Sequence, residues 1–315
     1  MINTLIYTND IYSQKAIKLY KTLGKVYYLN ESIAKEEIQI LVISLDVKIN
    51  STRLDEFINL KFLVSPTTGT NHIDLDYCLK RNIKVITLKN ETKFLKKIKA
   101  TSQFTFALII LLSRNIINSF FDFKHQKLQS RLDYKDQEFE DFKIGILGCG
   151  RVGTETGRLL QNVGFNIFGY DPYISDKHFK INNFKREKNL NDFLKKIDIL
   201  VICINYNIAN FNFIDNSKLK QLKKGAILIN TSRGEVLDEQ SLINCLKSKH
   251  LKGAALDVLS IENNENLELK KNIYDYIKRN NNLIITPHIA GNTYKSIAKT
   301  QEFVAKKVQN QINLS

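Results

Sequence analysis

The sequence has few cysteines, no concentrated charge and no long hydrophobic run. Its four cysteines stand far apart without a CxxC pair, so we predict neither a disulfide framework nor a metal site. This cysteine usage indicates a reducing compartment. The longest apolar run, Phe104 to Leu112, is too short to cross a bilayer, and no signal-peptide pattern follows Met1. We therefore predict a cytoplasmic protein without a membrane partner.

The formal charge of +15 comes from lysines scattered along the whole chain, with only short clusters such as Lys93 to Lys99. A nucleic-acid-binding protein would gather its charge on one face or arm, so we predict no nucleic-acid partner. The positive field would attract small anions, which suits a carboxylate substrate.

At 315 residues, with 43% hydrophobic and 25% charged residues, the chain is long enough for two globular domains. Its first part alternates short apolar runs with amphipathic stretches, which is typical of a parallel sheet with helices on its faces. The predicted strands of this part are Thr4 to Tyr7, Lys25 to Leu29, Ile40 to Ser44, Phe62 to Ser65 and Lys84 to Leu88.

A glycine motif follows the apolar run Lys143 to Leu147 without a gap, and a predicted helix at Thr154 to Asn162 follows the motif. In a dinucleotide site, Gly148 would make the tight turn and Gly150 would let the backbone approach a pyrophosphate. Gly153 would let helix and strand pack closely. The helix N-terminus would offer unpaired N–H groups to the phosphates.

A second predicted strand, Asn166 to Tyr170, ends at Asp171, which lies 18 residues after Gly153. A carboxylate there can accept both ribose hydroxyls and would repel a 2′-phosphate, so we predict NAD in preference to NADP. The alternative is a flexible glycine turn between two ordinary elements, but strand, helix, second strand and acid are all in place.

Four more strands would complete a doubly wound dinucleotide-binding sheet of six. They are Ile197 to Ile204, Ala226 to Asn230, Gly253 to Val258 and Asn282 to Thr286. Three further segments are a buried helix at Ala100 to Phe120 with Thr101 or Ser102 as N-cap, a loop at Lys124 to Asp141 and a long helix at Thr293 to Asn313. We predict a substrate domain of residues 1–99 plus 289–315 and an NAD-binding Rossmann domain of residues 100–288 inserted into it.

The loops after the last three strands carry Arg233, Glu262 and His288. In an open parallel sheet these loops lie at the same edge as the cofactor, so the three side chains should converge near the nicotinamide. Arg233 could hold a carboxylate with two parallel hydrogen bonds and polarise the adjacent carbonyl. His288 could act as general acid or base, with Glu262 fixing its tautomer. Each could instead be an ordinary loop residue, but three in successive loops favour the site.

With these residues the chain resembles the D-isomer-specific 2-hydroxyacid dehydrogenases. The matching segments are TTGTNHIDL (67–75), ATSQFTFALIILLSRNI (100–116), GILGCGRVG (145–153), GYDPY (169–173), INTSRGEVLDEQSL (229–242), GAALDVLSIE (253–262) and TPHIAGNT (286–293). The resemblance implies a Rossmann domain inserted into a flavodoxin-like substrate domain, and a homodimer. It also implies that Asp257 binds the nicotinamide carboxamide and that the backbone of Thr67, Thr68 and Gly69 binds the substrate carboxylate.

The candidate cofactor contacts are Gly148, Gly150, Arg151, Val152, Gly153, Asp171, Thr231 and Asp257. Several positions depart from the family's pattern. Pro66 removes one N–H donor from the substrate loop, Gln103 stands where an acid or histidine is frequent, and Asn205 replaces a usual proline. These departures bear on the fit of substrate and cofactor more than on the type of reaction.

The predicted function is NAD-dependent interconversion of a 2-keto acid and a D-2-hydroxy acid. One alternative is a non-catalytic NAD-sensing regulator on the same scaffold. An L-specific lactate or malate dehydrogenase is disfavoured, because those enzymes begin with the glycine motif. A phosphorylated substrate would need an added basic cluster, for which Arg131 or Lys135 are candidates. We expect no C-terminal regulatory domain of the kind that some phosphoglycerate dehydrogenases carry.

Overall fold

The computed structural model describes residues 2–9, 11–127, 130–262 and 266–313. The chain forms two compact units, one made of Met1–Ile98 with Asn292–Ser315 and the other of Lys99–Gly291. The second unit is thus inserted into the chain of the first. Each unit is built around one parallel β-sheet.

The first unit is a five-stranded α/β fold. Its strands are β1 (Ile2–Tyr7), β2 (Gly24–Tyr28), β3 (Ile40–Ile43), β4 (Phe62–Val64) and β5 (Lys84–Ile86). Its helices before residue 99 are α1 (Gln14–Lys21), α2 (Ser51–Asp55), α3 (Leu75–Lys80) and α4 (Thr92–Leu95). The strand order β2-β1-β3-β4-β5 is the flavodoxin-like order. All four residues of β3 are buried, as expected for a central parallel strand covered on both faces.

The second unit contains a seven-stranded parallel sheet. Its strands are β6 (Lys143–Leu147), β7 (Asn166–Tyr170), β8 (Lys185–Arg186), β9 (Ile199–Ile202), β10 (Ala226–Asn230), β11 (Leu251–Leu256) and β12 (Leu283–Ile285). Its helices are α5 (Ala100–Ser113), α6 (Ile116–Lys124), α7 (Arg151–Gln161), α8 (Asp176–Ile181), α9 (Leu190–Lys196), α10 (Asn216–Leu219), α11 (Glu239–Lys247) and α12 (Leu267–Ile277).

The strand order β12-β11-β10-β9-β6-β7-β8 is the Rossmann order with one additional strand, β12, beside β11. The predicted fold class is therefore confirmed, but the prediction of six strands was wrong. The missed strand, β8, has only two residues, both basic, and pairs with Phe168 and Gly169 of β7. A strand that short carries no hydrophobic pattern to detect.

The core of the second unit lies on both faces of its sheet. The fully buried strand β9 contributes Leu200 and Ile202 to one hydrophobic cluster and Ile199 and Val201 to the other. This alternation follows from the two-residue period of a strand. The sheet is thereby a rigid support whose carboxyl-end loops can hold side chains in place.

The predicted single helix from Ala100 to Phe120 was wrong, because α5 ends at Ser113 and α6 begins at Ile116. Asn115 adopts a left-handed conformation with φ of 51°, which breaks the helical hydrogen bonding, and the two helix axes differ by 63°. The expected N-cap is also wrong, since Lys99 precedes the first helical residue and makes no side-chain cap.

Among the described residues, no single helix is long and apolar enough to cross a membrane. The bent pair α5–α6 would pass by length and composition alone. In the structure, Leu108, Ile109 and Leu112 of α5 belong to the core cluster that covers one face of the Rossmann sheet. The apolar character of α5 therefore has an explanation in its burial.

Helix α7 begins three residues earlier than the predicted start at Thr154, with Gly150 as its N-cap. The first turn of α7 is consequently part of the glycine motif itself. The predicted loop at Lys124 to Asp141 contains two short 3-10 turns, Arg131–Tyr134 and Phe139–Asp141. The last helix, α13 (Tyr294–Asn313), belongs to the first unit, where Val304, Ala305 and Val308 are buried in its core.

Candidate active site

The glycine motif has the backbone geometry that a bound pyrophosphate needs. Gly148 has φ of +94°, which L side chains rarely adopt. A Cβ on Gly153 would lie 2.1 Å from the carbonyl oxygen of Gly148, so only glycine lets α7 pack this closely. A Cβ on Gly150 would meet nothing within 4 Å, which leaves space above the helix N-terminus for phosphate oxygens.

Two predicted cofactor residues, Arg151 and Val152, form the first turn of α7. Burial lowers the pKa of Arg151, and the nearby carboxylate of Glu155 opposes that shift. The carbonyl oxygen of Val152 accepts a hydrogen bond from Ser102 of α5 at 3.5 Å. The start of α7 is thus fixed against α5, which holds the phosphate loop in place.

Asp171 follows β7 at the same edge of the sheet and is partly exposed. Its two carboxylate oxygens accept hydrogen bonds from the backbone N–H groups of Cys149 and Tyr173, each at 2.9 Å. A carboxylate oxygen has more than one lone pair, so both can also accept from ribose hydroxyls. The motif and this acid together fit a dinucleotide such as NAD.

The structure brings His288 and Glu262 into contact. Nδ1 of His288 lies 2.7 Å from Oε2 of Glu262, and the side chains are 25% and 32% exposed. Oε1 of Glu262 accepts a hydrogen bond from the backbone N–H of Leu259 at 2.8 Å. One carboxylate oxygen of Glu262 is therefore held by Leu259, while the other lies against Nδ1 of His288.

Arg233 lies on the loop after β10, and the buried side-chain amide of Asn230 holds this loop in place. The side chain of Asn230 is fully buried, donates to the carbonyl oxygen of Arg233 at 2.9 Å and accepts from the N–H of Ser232 at 3.0 Å. Burial lowers the pKa of Arg233, while the nearby carboxylates of Glu235 and Glu262 oppose that shift. Arg233 and His288 are half-buried and Glu262 is more exposed, and all three lie at the carboxyl ends of the strands.

The loop that bears Arg233 packs tightly against the turn that bears Glu262. A Cβ on Gly234 would lie 2.0 Å from the backbone of both Leu259 and Ser260. Any larger residue at this position would push the two segments apart. Sequence reasoning missed Gly234 and Asn230, although the INTSRG segment that contains them was already a recognisable signal.

Glu239, at the start of α11, is a buried carboxyl group that sequence reasoning also missed. Its Oε1 accepts from the backbone N–H of Ser260 at 2.6 Å, and its Oε2 accepts from the Ser260 hydroxyl at 2.8 Å. Burial raises the pKa of Glu239 to about 7, the two bonds from Ser260 lower it, and the carboxylates of Glu262 and Glu235 raise it.

The raised pKa of Glu239 gives a testable dependence of stability on pH. Because the folded-state pKa of about 7 exceeds the ordinary glutamate pKa of 4.5, the folded protein binds more protons between these values, and its stability falls as pH rises through that window. Glu239→Gln removes the titrating group, so the variant does not lose stability in this window. We expect the variant to gain roughly 2 kcal/mol relative to wild type between about pH 5 and about pH 8. Urea unfolding at both pH values measures it, and an equal difference at both would contradict the assignment.

Asp257 is completely buried and holds the segment that carries His288. Its carboxylate accepts from the hydroxyl of Thr286 and from the N–H groups of Ile289 and Ala290, at 2.9 and 2.8 Å. The N–H of His288 donates to the carbonyl oxygen of Asp257 at 2.8 Å. These bonds support the φ of 55° at His288. The predicted contact with the nicotinamide carboxamide stays a prediction.

The remaining predicted residues lie in different places. Thr231 is buried, and its hydroxyl lies 2.7 Å from that of Thr105. Thr67, Thr68 and Gly69 belong to the first unit, where the hydroxyl of Thr67 donates to the carbonyl oxygen of Gly69 at 2.8 Å. Their predicted contacts with the cofactor and the substrate stay predictions.

The departures from the family pattern also have defined positions. Gln103 and Asn205 are exposed in the second unit, and Pro66 lies in the loop after β4 of the first. The suggestion that Arg131 or Lys135 supplies a basic cluster for a phosphorylated substrate stays a prediction. Lys135 lines a crevice with Lys224 and Gly225, at the amino ends of the strands and opposite the catalytic edge.

Comparison with known proteins gives two family matches. Residues 106–290 match the NAD-binding domain of the D-isomer specific 2-hydroxyacid dehydrogenases, and residues 6–92 match the catalytic domain of the same family. A relative in Staphylococcus saprophyticus, whose name places it among the 2-hydroxyacid dehydrogenases, is 29% identical over 87% of this chain and 82% of its own length.

One further relative matches over a smaller part of its own length, and one solved structure matches at a lower sequence identity. The D-3-phosphoglycerate dehydrogenase of Haemophilus influenzae is 28% identical over 76% of this chain but only 55% of its own. The crystal structure of a D-lactate dehydrogenase from Aquifex aeolicus with NAD and lactic acid has a TM-score of 0.83 at 22% identity. It covers 99% of this chain and 96% of that one, which shows a shared fold.

Proposed function

Since the chain belongs to the D-isomer specific 2-hydroxyacid dehydrogenase family, we propose that it interconverts a small 2-keto acid and the D-2-hydroxy acid with NAD as cofactor. The observation that carries this proposal is the 2.7 Å contact between His288 and Glu262, with Arg233 on the neighbouring loop. All three side chains lie at the carboxyl ends of the strands, where the glycine motif also lies.

Arg233 binds and orients the substrate in this mechanism. Its planar guanidinium can form two parallel hydrogen bonds with the carboxylate of a 2-keto acid and can polarise the adjacent carbonyl. Desolvation strengthens this attraction, since Arg233 lies in a half-buried site. NADH, when bound, supplies the hydride that the carbonyl carbon receives.

His288 supplies the proton. An ionised Glu262 can only accept a hydrogen bond, so Nδ1 of His288 carries a proton and Nε2 faces the substrate. In the reducing direction, Nε2–H donates its proton to the carbonyl oxygen as that oxygen becomes an alkoxide. In the oxidising direction the neutral ring takes the proton back from the hydroxyl.

The enzyme is proposed to act as a homodimer through α6. This helix has no buried residue, although its sequence IINSFFDFK is mostly apolar. Phe120 and Phe123 are 60% and 77% exposed, and Ile116 lies on the same side at 41%. An apolar surface of this kind favours association with a second copy. Analytical ultracentrifugation of the purified chain would test this, and a monomer at micromolar concentration would contradict it.

The function is tested by following NADH oxidation with glyoxylate, hydroxypyruvate, pyruvate, phosphohydroxypyruvate and bulkier keto acids. Each substrate is also assayed with NADPH, and the products are analysed for their D or L configuration. We expect turnover with at least one keto acid, a preference for NADH because of Asp171, and a D product. Tight NADH binding without turnover of any member of the panel would contradict the proposal.

A further inference from the structure

We propose that Glu239 is a positioning residue that holds the Glu262 carboxylate against His288. This inference deepens the proposed function and rests on it. Glu239 touches neither of the two residues directly. Its effect would pass through Ser260, the first residue of the 3-10 turn Ser260–Glu262.

Two hydrogen bonds join Glu239 to Ser260, and the Glu239 side chain that makes them is buried. Both carboxylate oxygens accept hydrogen bonds from the same residue, one from its N–H and one from its hydroxyl, at 2.6 and 2.8 Å. Glu239 itself is only 2% exposed. Two charge-assisted bonds to one residue fix both its position and its rotation, since a single bond would leave the turn free to pivot.

This fixed turn determines where Glu262 can reach. Glu262 lies two residues after Ser260, and its Oε1 bonds back to the N–H of Leu259 at 2.8 Å. With one oxygen held at the start of the turn, the other is directed at Nδ1 of His288. Gly234 also contacts this turn, because its backbone lies against Leu259 and Ser260. Gly234 and Glu239 therefore both support the turn.

If packing were the only role of this side chain, a buried carboxyl group would cost more free energy of folding than a neutral side chain. It lies near the carboxylates of Glu235 and Glu262, and desolvation disfavours its charged form. Groups that reduce stability in this way are concentrated at functional sites. The geometry of the Ser260 contact gives the group a role that a neutral side chain would perform less well.

The proposal is tested with Glu239→Gln and Ser260→Ala at about pH 8, where Glu239 is ionised. Glutamine keeps the size of the side chain but places an amide group where a carboxylate oxygen accepted. Ser260→Ala removes only the hydroxyl bond and retains the N–H, so it remains informative if the first variant folds poorly. Asn244→Ala is the matched control, because Asn244 is exposed on the same helix α11.

We expect Glu239→Gln to lower kcat by roughly 10- to 100-fold, with KM for the keto acid within about twofold of wild type. Ser260→Ala should lower kcat in the same direction, and Asn244→Ala should leave it unchanged. In a Glu262→Gln background, Glu239→Gln should cost less than about twofold, because the carboxylate that it positions is already absent. An unchanged kcat, or an equal loss in both backgrounds, would overturn the proposal.

A second measurement needs no turnover. The ring ¹⁵N shifts of His288 are observed by NMR in the NADH-bound protein through the carbon-bound ring protons and are assigned by their loss in His288→Gln. The chain has five histidines, which keeps the spectrum simple. We expect both shifts to change in Glu239→Gln and in Ser260→Ala but not in Asn244→Ala. If no keto acid is reduced, these shifts still decide the positioning role, and unchanged shifts in both variants would exclude it.

Discussion

Replacing His288 with alanine is expected to lower kcat about 10²- to 10⁴-fold, the usual contribution of a positioned general acid or base. NADH affinity should stay within about twofold of wild type, because the glycine motif and Asp171 are untouched. The effect should be larger than that of Glu262→Gln, since Glu262 acts only through the ring. Steady-state kinetics with the best keto acid and NADH titration by fluorescence measure the two quantities.

The matched control for this variant is His250→Ala, because His250 directly precedes β11, at the amino end of that strand and at the opposite edge of the sheet from His288. It should retain wild-type kcat and KM. His288→Gln separates the loss of the proton donor from the loss of the ring's volume, and it should be as inactive as alanine. A His288→Ala enzyme with wild-type kcat would show that another group transfers the proton.

Most strands were predictable from sequence for a simple physical reason. Strands buried on both faces must be apolar throughout, so segments such as Ile40–Ile43 and Ala226–Asn230 stand out from their surroundings. The short strand Lys185–Arg186 has no such pattern. It forms because β7 presents an open edge beside it, and tertiary pairing of this kind leaves no local signal.

Helix ends were less predictable than strands. An apolar composition predicts a helix across Arg114 and Asn115, but it cannot show that the chain turns there through a left-handed residue. Asparagine adopts that conformation more readily than most residues, so it was the available hint. The start of α7 at Arg151 was also not predicted, because the glycine motif supplies both the turn and the N-cap of this helix.

Within the candidate site, sequence reasoning found the three side chains at the strand ends but missed Asn230, Gly234 and Glu239, which support their loops. Arg233, Glu262 and His288 could be placed together because each follows a strand of one parallel sheet. Glu239 could not be found in this way, because it lies at the start of a helix and reaches Ser260 across a tertiary contact. Supporting residues depend on side-chain packing, which strand order alone does not determine.

Arg233→Ala is expected to raise KM and lower kcat together, with a loss of about 10²- to 10⁴-fold in kcat/KM. The estimate follows from two hydrogen bonds to a charged group at roughly 1.5–3 kcal/mol each, with about 1.4 kcal/mol per factor of ten. The kcat effect arises because the guanidinium also polarises the carbonyl, and that interaction strengthens as charge develops on its oxygen. Initial rates over a range of keto acid concentrations separate the two parameters.

Arg233→Lys tests whether charge or shape matters at this position. Lysine keeps the positive charge but cannot make two parallel hydrogen bonds to a carboxylate, so it should recover only part of the lost kcat/KM. Added guanidinium should partly restore Arg233→Ala, since the vacated space lies beside the carboxylates of Glu235 and Glu262. Arg279→Ala, at an exposed position, is the matched control and should behave as wild type. Wild-type kinetics in both Arg233 variants would remove this residue from the site, and the substrate carboxylate would then need a different partner.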